Sequence, residues 1–446
     1  MFFRQFVDDD LGCASYLIGD ESAGAAVVVD PALAVEPYLE QAERRGLRLQ
    51  LVLETHTHAD HVSGHGRLAL ELGVPVAIHP AAEPGFPFEP LEDGREISVG
   101  EVAIRVLHTP GHRPEHCAFA IVDRARADEP WLVLTGDSLF VGDVARPDLA
   151  VDAQEGAEGL FSSLRSLAAL ADGVEVYPGH VSGSLCGAGM SSKASSTIGF
   201  ERRFNRLFRI EEESEFVADS GDVSTPKPPN SERIVELNRG PFVPAPPELR
   251  PVSGDEEATV LDVRPPADFA AGHAAGAINV PVSGSRFATK SGFVLGADER
   301  VVVHAGSERD AHRAARGLHA VGLFEVAGYS LDPPASERLD PIGLDELERL
   351  LAAGAVEVVD VREADERASG YIAGSRHIPY RFLRAVGNGI GSGRPVVTIC
   401  ESGGRAAIAA SLLAAAGIEA RPVLGEGVSA WQERGGETVA FRRCGA

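Results

Sequence analysis

At 446 residues, with 44% hydrophobic and 24% charged side chains, the chain is long enough for about two to four domains and apolar enough for globular cores. A net charge of −25, from 41 basic and 66 acidic residues, argues against nucleic acid or an anionic membrane surface as a partner. The five cysteines (Cys13, Cys117, Cys186, Cys400, Cys444) are odd in number and contain no Cys-x-x-Cys pair, so neither a disulfide framework nor a structural zinc site organises the fold.

The N-terminal Met1-Phe2-Phe3-Arg4-Gln5-Phe6 turns acidic at Asp8-Asp9-Asp10 without the apolar centre of a secretory signal. The most apolar long stretch, 406–418, is too short to span a bilayer. A soluble, cytoplasmic chain is therefore expected. Short runs rich in Val, Ile and Leu predict strands at Ala26–Asp30, Leu51–Glu54, Val102–Leu107, Ala118–Val122, Trp131–Thr135 and Val174–Tyr177. Polar clusters follow several of them directly: 55–61, 108–112, Gly136-Asp137 and Pro178-Gly179-His180. The first, Thr55-His56-Thr57-His58-Ala59-Asp60-His61, sets three His and one Asp on a strand-to-helix loop. A lone buried His is usually a satisfied core residue. Four such groups in six positions would each need a separate buried partner, and the density points to metal.

The spacing His-x-His-x-Asp-His resembles the signature of the metallo-β-lactamase superfamily, and the later strand-end clusters extend that resemblance over about residues 1–215. It implies an α/β fold, an αβ/βα sandwich carrying two adjacent metal sites. His56, His58, His112 and Asp137 match the first site; Asp60, His61 and His180, sharing Asp137, match the second.

Acidic residues at 211–215 lead into a Pro-dense stretch, and 216–250 reads as an extended linker. Beyond it the chain repeats. Val260-Leu261-Asp262-Val263-Arg264 returns as Val358-Val359-Asp360-Val361-Arg362, and Gly276-Ala277-Ile278-Asn279-Val280-Pro281 as Gly374-Ser375-Arg376-His377-Ile378-Pro379. Strand and helix signals alternate within each copy, predicting two small α/β domains with parallel sheets, 251–335 and 336–446. The pattern resembles rhodanese modules. In the second copy a strand, Val396 to Ile399, runs into Cys400-Glu401-Ser402-Gly403-Gly404-Arg405, which opens a helix. A thiol facing backbone N–H groups at a helix N-terminus is suited to holding sulfane sulfur or binding an anion. The first copy has Ala305 near the Cys position and no cysteine, which makes it a structural or docking module.

A metal domain joined to a persulfide-carrying module resembles the persulfide dioxygenase–rhodanese fusion proteins. Thr135-Gly136-Asp137-Ser138-Leu139-Phe140, Arg146-Pro147-Asp148-Leu149 and Gly183-Ser184-Leu185-Cys186-Gly187 carry that resemblance. It implies one Fe(II) per chain on His56, His112 and Asp137, with open positions for a low-molecular-weight thiol persulfide and O2. His58, Asp60, His61 and His180 would then orient those ligands or hold a second metal. Cys400, with Arg405, would move sulfane sulfur between sulfite and thiosulfate. Cys186, on a Gly/Ser-rich loop after His180, would meet the persulfide tail. The rival reading is a binuclear zinc thioester hydrolase of the glyoxalase II type. A sulfur-relay or sensor protein using Cys400 alone is a third. The thiol carrying the persulfide and the oligomeric state, a homo-oligomer included, are left open by the sequence.

Overall fold

The structure, a computed structural model, describes residues 1–181, 189–220, 226–253, 257–332, 334–386, 389–390 and 393–440. Two compact units divide the chain, the first dominated by Met1–Pro246 and the second by Pro247–Leu318 and Leu323–Ala446.

The first unit is built on two six-stranded sheets. One contains β1 (Phe2–Val7), β2 (Ala14–Asp20), β3 (Ala25–Val29), β4 (Arg48–Leu53), β5 (Val76–Ile78) and β6 (Glu89–Pro90), antiparallel as far as β3 and parallel from there. The other contains β7 (Glu96–Val99), β8 (Val102–His108), β9 (Cys117–Asp123), β10 (Leu132–Gly136), β11 (Glu175–Pro178) and β12 (Ser196–Thr197), with β10 and β11 parallel. All six strands expected from the apolar runs are present, with ends shifted by a few residues.

Their near-continuous hydrophobicity has a simple cause: the central strands are covered on both faces. Inner residues such as Tyr16, Ile18, Val27 and Leu53 meet Ile104, Val106, Phe119 and Leu134 of the facing sheet. Outward residues Leu17, Val28 and Val52 cluster with Tyr38 and Leu68, from helices Glu36–Arg44 and His65–Leu72. On the opposite flank Ala118, Val133 and Val176 cluster with Leu160 and Leu164 of helix Ala153–Ala168, whose first turn Asp152 caps by accepting from Gln154 N–H at 3.0 Å. The layers are thus helix, sheet, sheet, helix. Phe119 is fully buried between the sheets, and its truncation to Ala would cost about 3–5 kcal/mol.

The stretch expected as an extended linker is partly helical. Ser231–Arg239 forms a helix with Ile234 and Asn238 buried, and Phe242 beyond it stacks on Phe86 with ring centroids 4.5 Å apart. Gly85 N–H donates to Arg239 O at 2.7 Å. Proline density hid an amphipathic turn pattern that docks on the first unit.

The second unit holds two four-stranded, all-parallel sheets. The first is ordered β14 (Ile278–Asn279), β13 (Thr259–Asp262), β15 (Val301–His304), β16 (Val326–Ser330). In the second, β17 (Glu357–Asp360) lies between β19 (Arg376–His377) and β20 (Val396–Ile399), with β21 (Ala420–Pro422) outermost; β18 (Tyr371–Ile372) stands outside it. The sequence repeat has a geometric counterpart. Arg264 donates through Nε to Asp262 Oδ1 at 2.9 Å and through Nη2 to Gly272 O at 2.9 Å; Arg362 does the same to Asp360 at 3.0 Å and Gly370 O at 2.7 Å. The apolar stretch after Arg405 is a core helix, Gly404–Ala415, buried from Ala406 to Leu413. No helix among the described residues is long and apolar enough to cross a membrane.

Candidate metal centre and sulfur-transfer loop

The four polar clusters follow β4, β8, β10 and β11, and the fold brings them together. His56, His112 and Asp137, all buried, each offer a ligand atom within 4.8 Å of the others. Hydrogen bonds fix which atom each ring offers. Thr55 donates its N–H to Asp30 Oδ1 at 2.7 Å and its hydroxyl to Asp30 Oδ2 at 2.8 Å. With that proton committed, Thr55 Oγ1 at 2.9 Å accepts from His56 Nδ1–H, leaving the Nε2 lone pair. His112 Nδ1–H donates to Arg146 O at 3.2 Å, and its Nε2 lies 3.6 Å from Asp137 Oδ2.

Burial pushes His56 well below the usual imidazole range and lowers His112 as well, so both rings are neutral. Burial would raise Asp137, but His180 and His112 outweigh it and hold the carboxyl at about 2, ionised. Asp137 Oδ2 and His58 Nδ1 are buried without a hydrogen-bond partner. Two neutral imidazoles, one carboxylate and an orphaned acceptor fit a divalent cation, for which an unpaired buried carboxylate oxygen is otherwise costly.

The remaining ligand candidates divide. His58 Nε2 turns to Asp30 Oδ1 (3.3 Å) and Glu54 Oε2 (3.2 Å). His180 bridges two carboxylates, with Nδ1 2.7 Å from Asp137 Oδ1 and Nε2 2.7 Å from Asp60 Oδ2. His61 Nδ1 stands 3.2 Å from Asp60 Oδ1. Cys186 lies outside the described residues, as do Gly183 and its neighbours through Gly187.

Several contributors escape the motif. His116 accepts Asp137 N–H on Nε2 at 2.9 Å and donates from Nδ1 to Thr109 Oγ1 at 2.8 Å; burial pushes it down to about 3, so it stays neutral. Gly136, at φ +47°, is needed there, since a Cβ would meet His116 Nε2 at 2.6 Å. Glu115 accepts from Arg113 Nε at 2.7 Å and from Thr57 N–H at 3.2 Å, linking the loops that follow β4 and β8. Asn238 completes the His-rich loop, its Nδ2 donating to the carbonyls of His58 (3.0 Å) and His61 (2.8 Å), its Oδ1 accepting Ser63 N–H (2.8 Å). The only sequence signals were Asp30 closing a valine run before Pro31 and His116 four residues after His112.

In the second unit, Cys400 is buried at the end of β20, and Gly403 N–H donates to its Sγ at 3.2 Å. Gly403 adopts φ +92°, where a Cβ would also strike Gly425 N at 2.8 Å. From there Ser402, Gly403 and Gly404 lead into the helix, and Arg405 donates from Nη2 to Glu366 Oε1 at 2.6 Å. Glu401 Oε2 is 3.7 Å from Arg362 Nη1. In the first copy Ala305 is buried after β15, and Ser307 Oγ lies 2.7 Å from Asp310 Oδ2 at the start of the next helix.

The chain belongs to the metallo-beta-lactamase superfamily, whose profile matches residues 8–180, and carries rhodanese-like domains matched over 246–330 and 343–434. Human mitochondrial persulfide dioxygenase ETHE1 is 30% identical over 241 residues, which span 53% of this chain and 87% of that protein. Hydroxyacylglutathione hydrolase of Methylococcus capsulatus is 36% identical over 169 residues, 37% of this chain and 60% of that enzyme. Among solved structures, a metallo-beta-lactamase from Staphylococcus aureus subsp. aureus COL superposes with a TM-score of 0.68 at 30% identity, covering 74% of this chain and 98% of that one.

Proposed function

We propose that the protein is a persulfide dioxygenase with a fused sulfurtransferase: RSSH + O2 + H2O gives RSH, sulfite and two protons. The observation that carries this reading is the two-imidazole, one-carboxylate group with its orphaned Asp137 oxygen, in the same chain as the Cys400 loop. The similarity to human persulfide dioxygenase supports it. His56, His112 and Asp137 would hold one Fe(II), and the bound iron would supply the O2 chemistry that no side chain can. Thr55 and the Arg146 carbonyl keep both rings presenting Nε2, and His180 steadies Asp137 through Oδ1, leaving Oδ2 without a hydrogen-bond partner.

At the second centre, Cys400 would take sulfane sulfur as a persulfide and release it to sulfite: Cys–S–S⁻ plus sulfite gives Cys–S⁻ and thiosulfate. The Gly403 N–H aimed at Sγ stabilises the thiolate leaving group. A second reading, a binuclear zinc thioester hydrolase, draws on Asp60, His61 and His180 beside Asp137 and on the hydrolase relative. Metal analysis with oxygen uptake on a panel of low-molecular-weight persulfides separates them. About one iron per chain and persulfide-dependent oxygen consumption are expected; two zincs with thioester hydrolysis and no oxygen uptake would replace this reading by the hydrolase.

A further inference from the structure

Asp60, His61 and His180 complete the donor set that a second cation would use, yet here a fourth group reaches all three. The Sγ of Cys13 lies 3.3 Å from Asp60 Oδ2, 3.4 Å from His61 Nδ1 and 3.4 Å from His180 Nε2. Its backbone is pinned. Asp8 N–H donates to Cys13 O at 2.9 Å, Ala14 N–H donates to Gly179 O at 2.7 Å, and Cys13 pairs with His180 as an isolated β-bridge. The sulfur is therefore delivered to this position by the start of β2.

The two halves of the ligand cluster differ in how their polar atoms are spent. On the His56 side, Asp137 Oδ2 and His58 Nδ1 are buried and unpartnered. On the Cys13 side, His180 commits both ring nitrogens to carboxylates, Asp60 commits both oxygens to imidazoles, and no atom of Asp60, His61 or His180 is among the unpartnered buried ones described. A cation there needs lone pairs converging at about 2.0–2.3 Å. In this chain those atoms face one another and the sulfur.

We propose that Cys13 sets the metal stoichiometry, its thiol closing the Asp60–His61–His180 position against a second cation so that His56, His112 and Asp137 hold one. This rests on the reading of those three residues as metal ligands. The test is zinc content per chain, by mass spectrometry of the full-length protein reconstituted with excess Zn²⁺ and dialysed, for wild type, Cys13→Ala, Cys13→Ser, His112→Ala and Cys13→Ala/Asp60→Ala. Circular dichroism checks that each variant is folded. Expected are about one zinc in wild type, about two in Cys13→Ala, and a return to one in the double variant. Cys13→Ser, which keeps a small polar cap, guards against misfolding of the Ala variant and should lie between. Two zincs in wild type, with a sulfur-to-metal charge-transfer band in the Co²⁺ form that Cys13→Ala abolishes, would make Cys13 a ligand and overturn the proposal. One zinc in both wild type and Cys13→Ala would overturn it as well. Retention of the wild-type zinc by His112→Ala would instead overturn the ligand reading beneath it.

Discussion

Asp137 meets His180 through one carboxylate oxygen only: Oδ1 sits 2.7 Å from Nδ1, while Oδ2 is buried with no hydrogen-bond partner. One oxygen anchors the side chain, and the other is the atom that the proposed cation would take. Asp137→Ala is expected to abolish metal binding and oxygen uptake, and His112→Ala to do the same. Sulfur transfer from thiosulfate to cyanide should persist in both, because Cys400 belongs to the other compact unit. Metal content, an oxygen electrode and thiocyanate formation check the three parts; full metal occupancy in either variant would refute the ligand assignment.

Thr55→Val keeps the shape of the side chain but removes the hydroxyl that joins Asp30 to His56. The His56 ring then loses the partner that fixes its tautomer. Metal affinity should fall about 10- to 100-fold, measured by competition against a chelator, with the fold intact by circular dichroism.

Asn238→Ala removes three hydrogen bonds to the His-rich loop and leaves the His58 and His61 carbonyls and Ser63 N–H to find other partners. A loss of about 1–3 kcal/mol is expected in denaturant unfolding of the first unit, together with weaker metal retention. Asn238→Asp should recover little, since a carboxylate still accepts from Ser63 but cannot donate to the two carbonyls. Wild-type stability in Asn238→Ala would show the loop to be held by other means.

Cys400→Ser takes away the thiol proposed as the sulfur carrier, on which the Gly403 N–H converges. Persulfide oxidation should then end in sulfite with little thiosulfate, whereas wild type is expected to yield mainly thiosulfate. Product analysis by thiol-specific derivatisation decides it, and an unchanged thiosulfate yield would exclude this thiol.

Asp20 contributes an acid-sensitive clamp outside the candidate metal centre. Glu101 N–H donates to Oδ2 at 2.8 Å, and Ser22 donates its hydroxyl (2.6 Å) and N–H (2.8 Å) to Oδ1, which together hold the carboxyl down at about 2. A carboxyl whose folded pKa is depressed adds stability above its ordinary value near 3.9, and that stability disappears as pH falls through about 2. Asp20→Asn should therefore be less stable than wild type at neutral pH, the gap narrowing between pH 4 and 2 as wild type alone loses the clamp. Thermal melts of both proteins across that window provide the check.

The strands and their chemistry-bearing ends were readable because the central strands are buried on both faces and so appear as unbroken apolar runs. That His56, His112 and Asp137 would come together was readable because polar clusters follow where such runs stop, and the fold brings their ligand atoms within 4.8 Å of one another. Asp30, Thr55 and His116 were not, since each acts through a partner that only the folded sheet brings near, 25 residues away for Thr55 and Asp30. Asn238 was hidden further, by 177 residues of separation from His61 and by prolines that disguised its helix. Cys13 was counted as a thiol, but its meeting with His180 across 167 residues belongs to the fold. The boundary after residue 215 was misleading for the same reason, because composition marks where a chain turns polar and cannot mark where it stops making contacts.

Asn238 also bears on the order in which the molecule becomes functional during synthesis. Every ligand candidate described in the first unit has left the ribosome once His180 emerges, yet the loop that bears His58 and His61 gains three hydrogen bonds only when Asn238 follows, and Val62 N–H next to it meets Ala320 O at 2.8 Å later still. A nascent chain paused between those two points would display a full set of donors on an unfinished cradle. A stretch whose composition reads as a linker thus supplies part of the support of the first unit's His-rich loop.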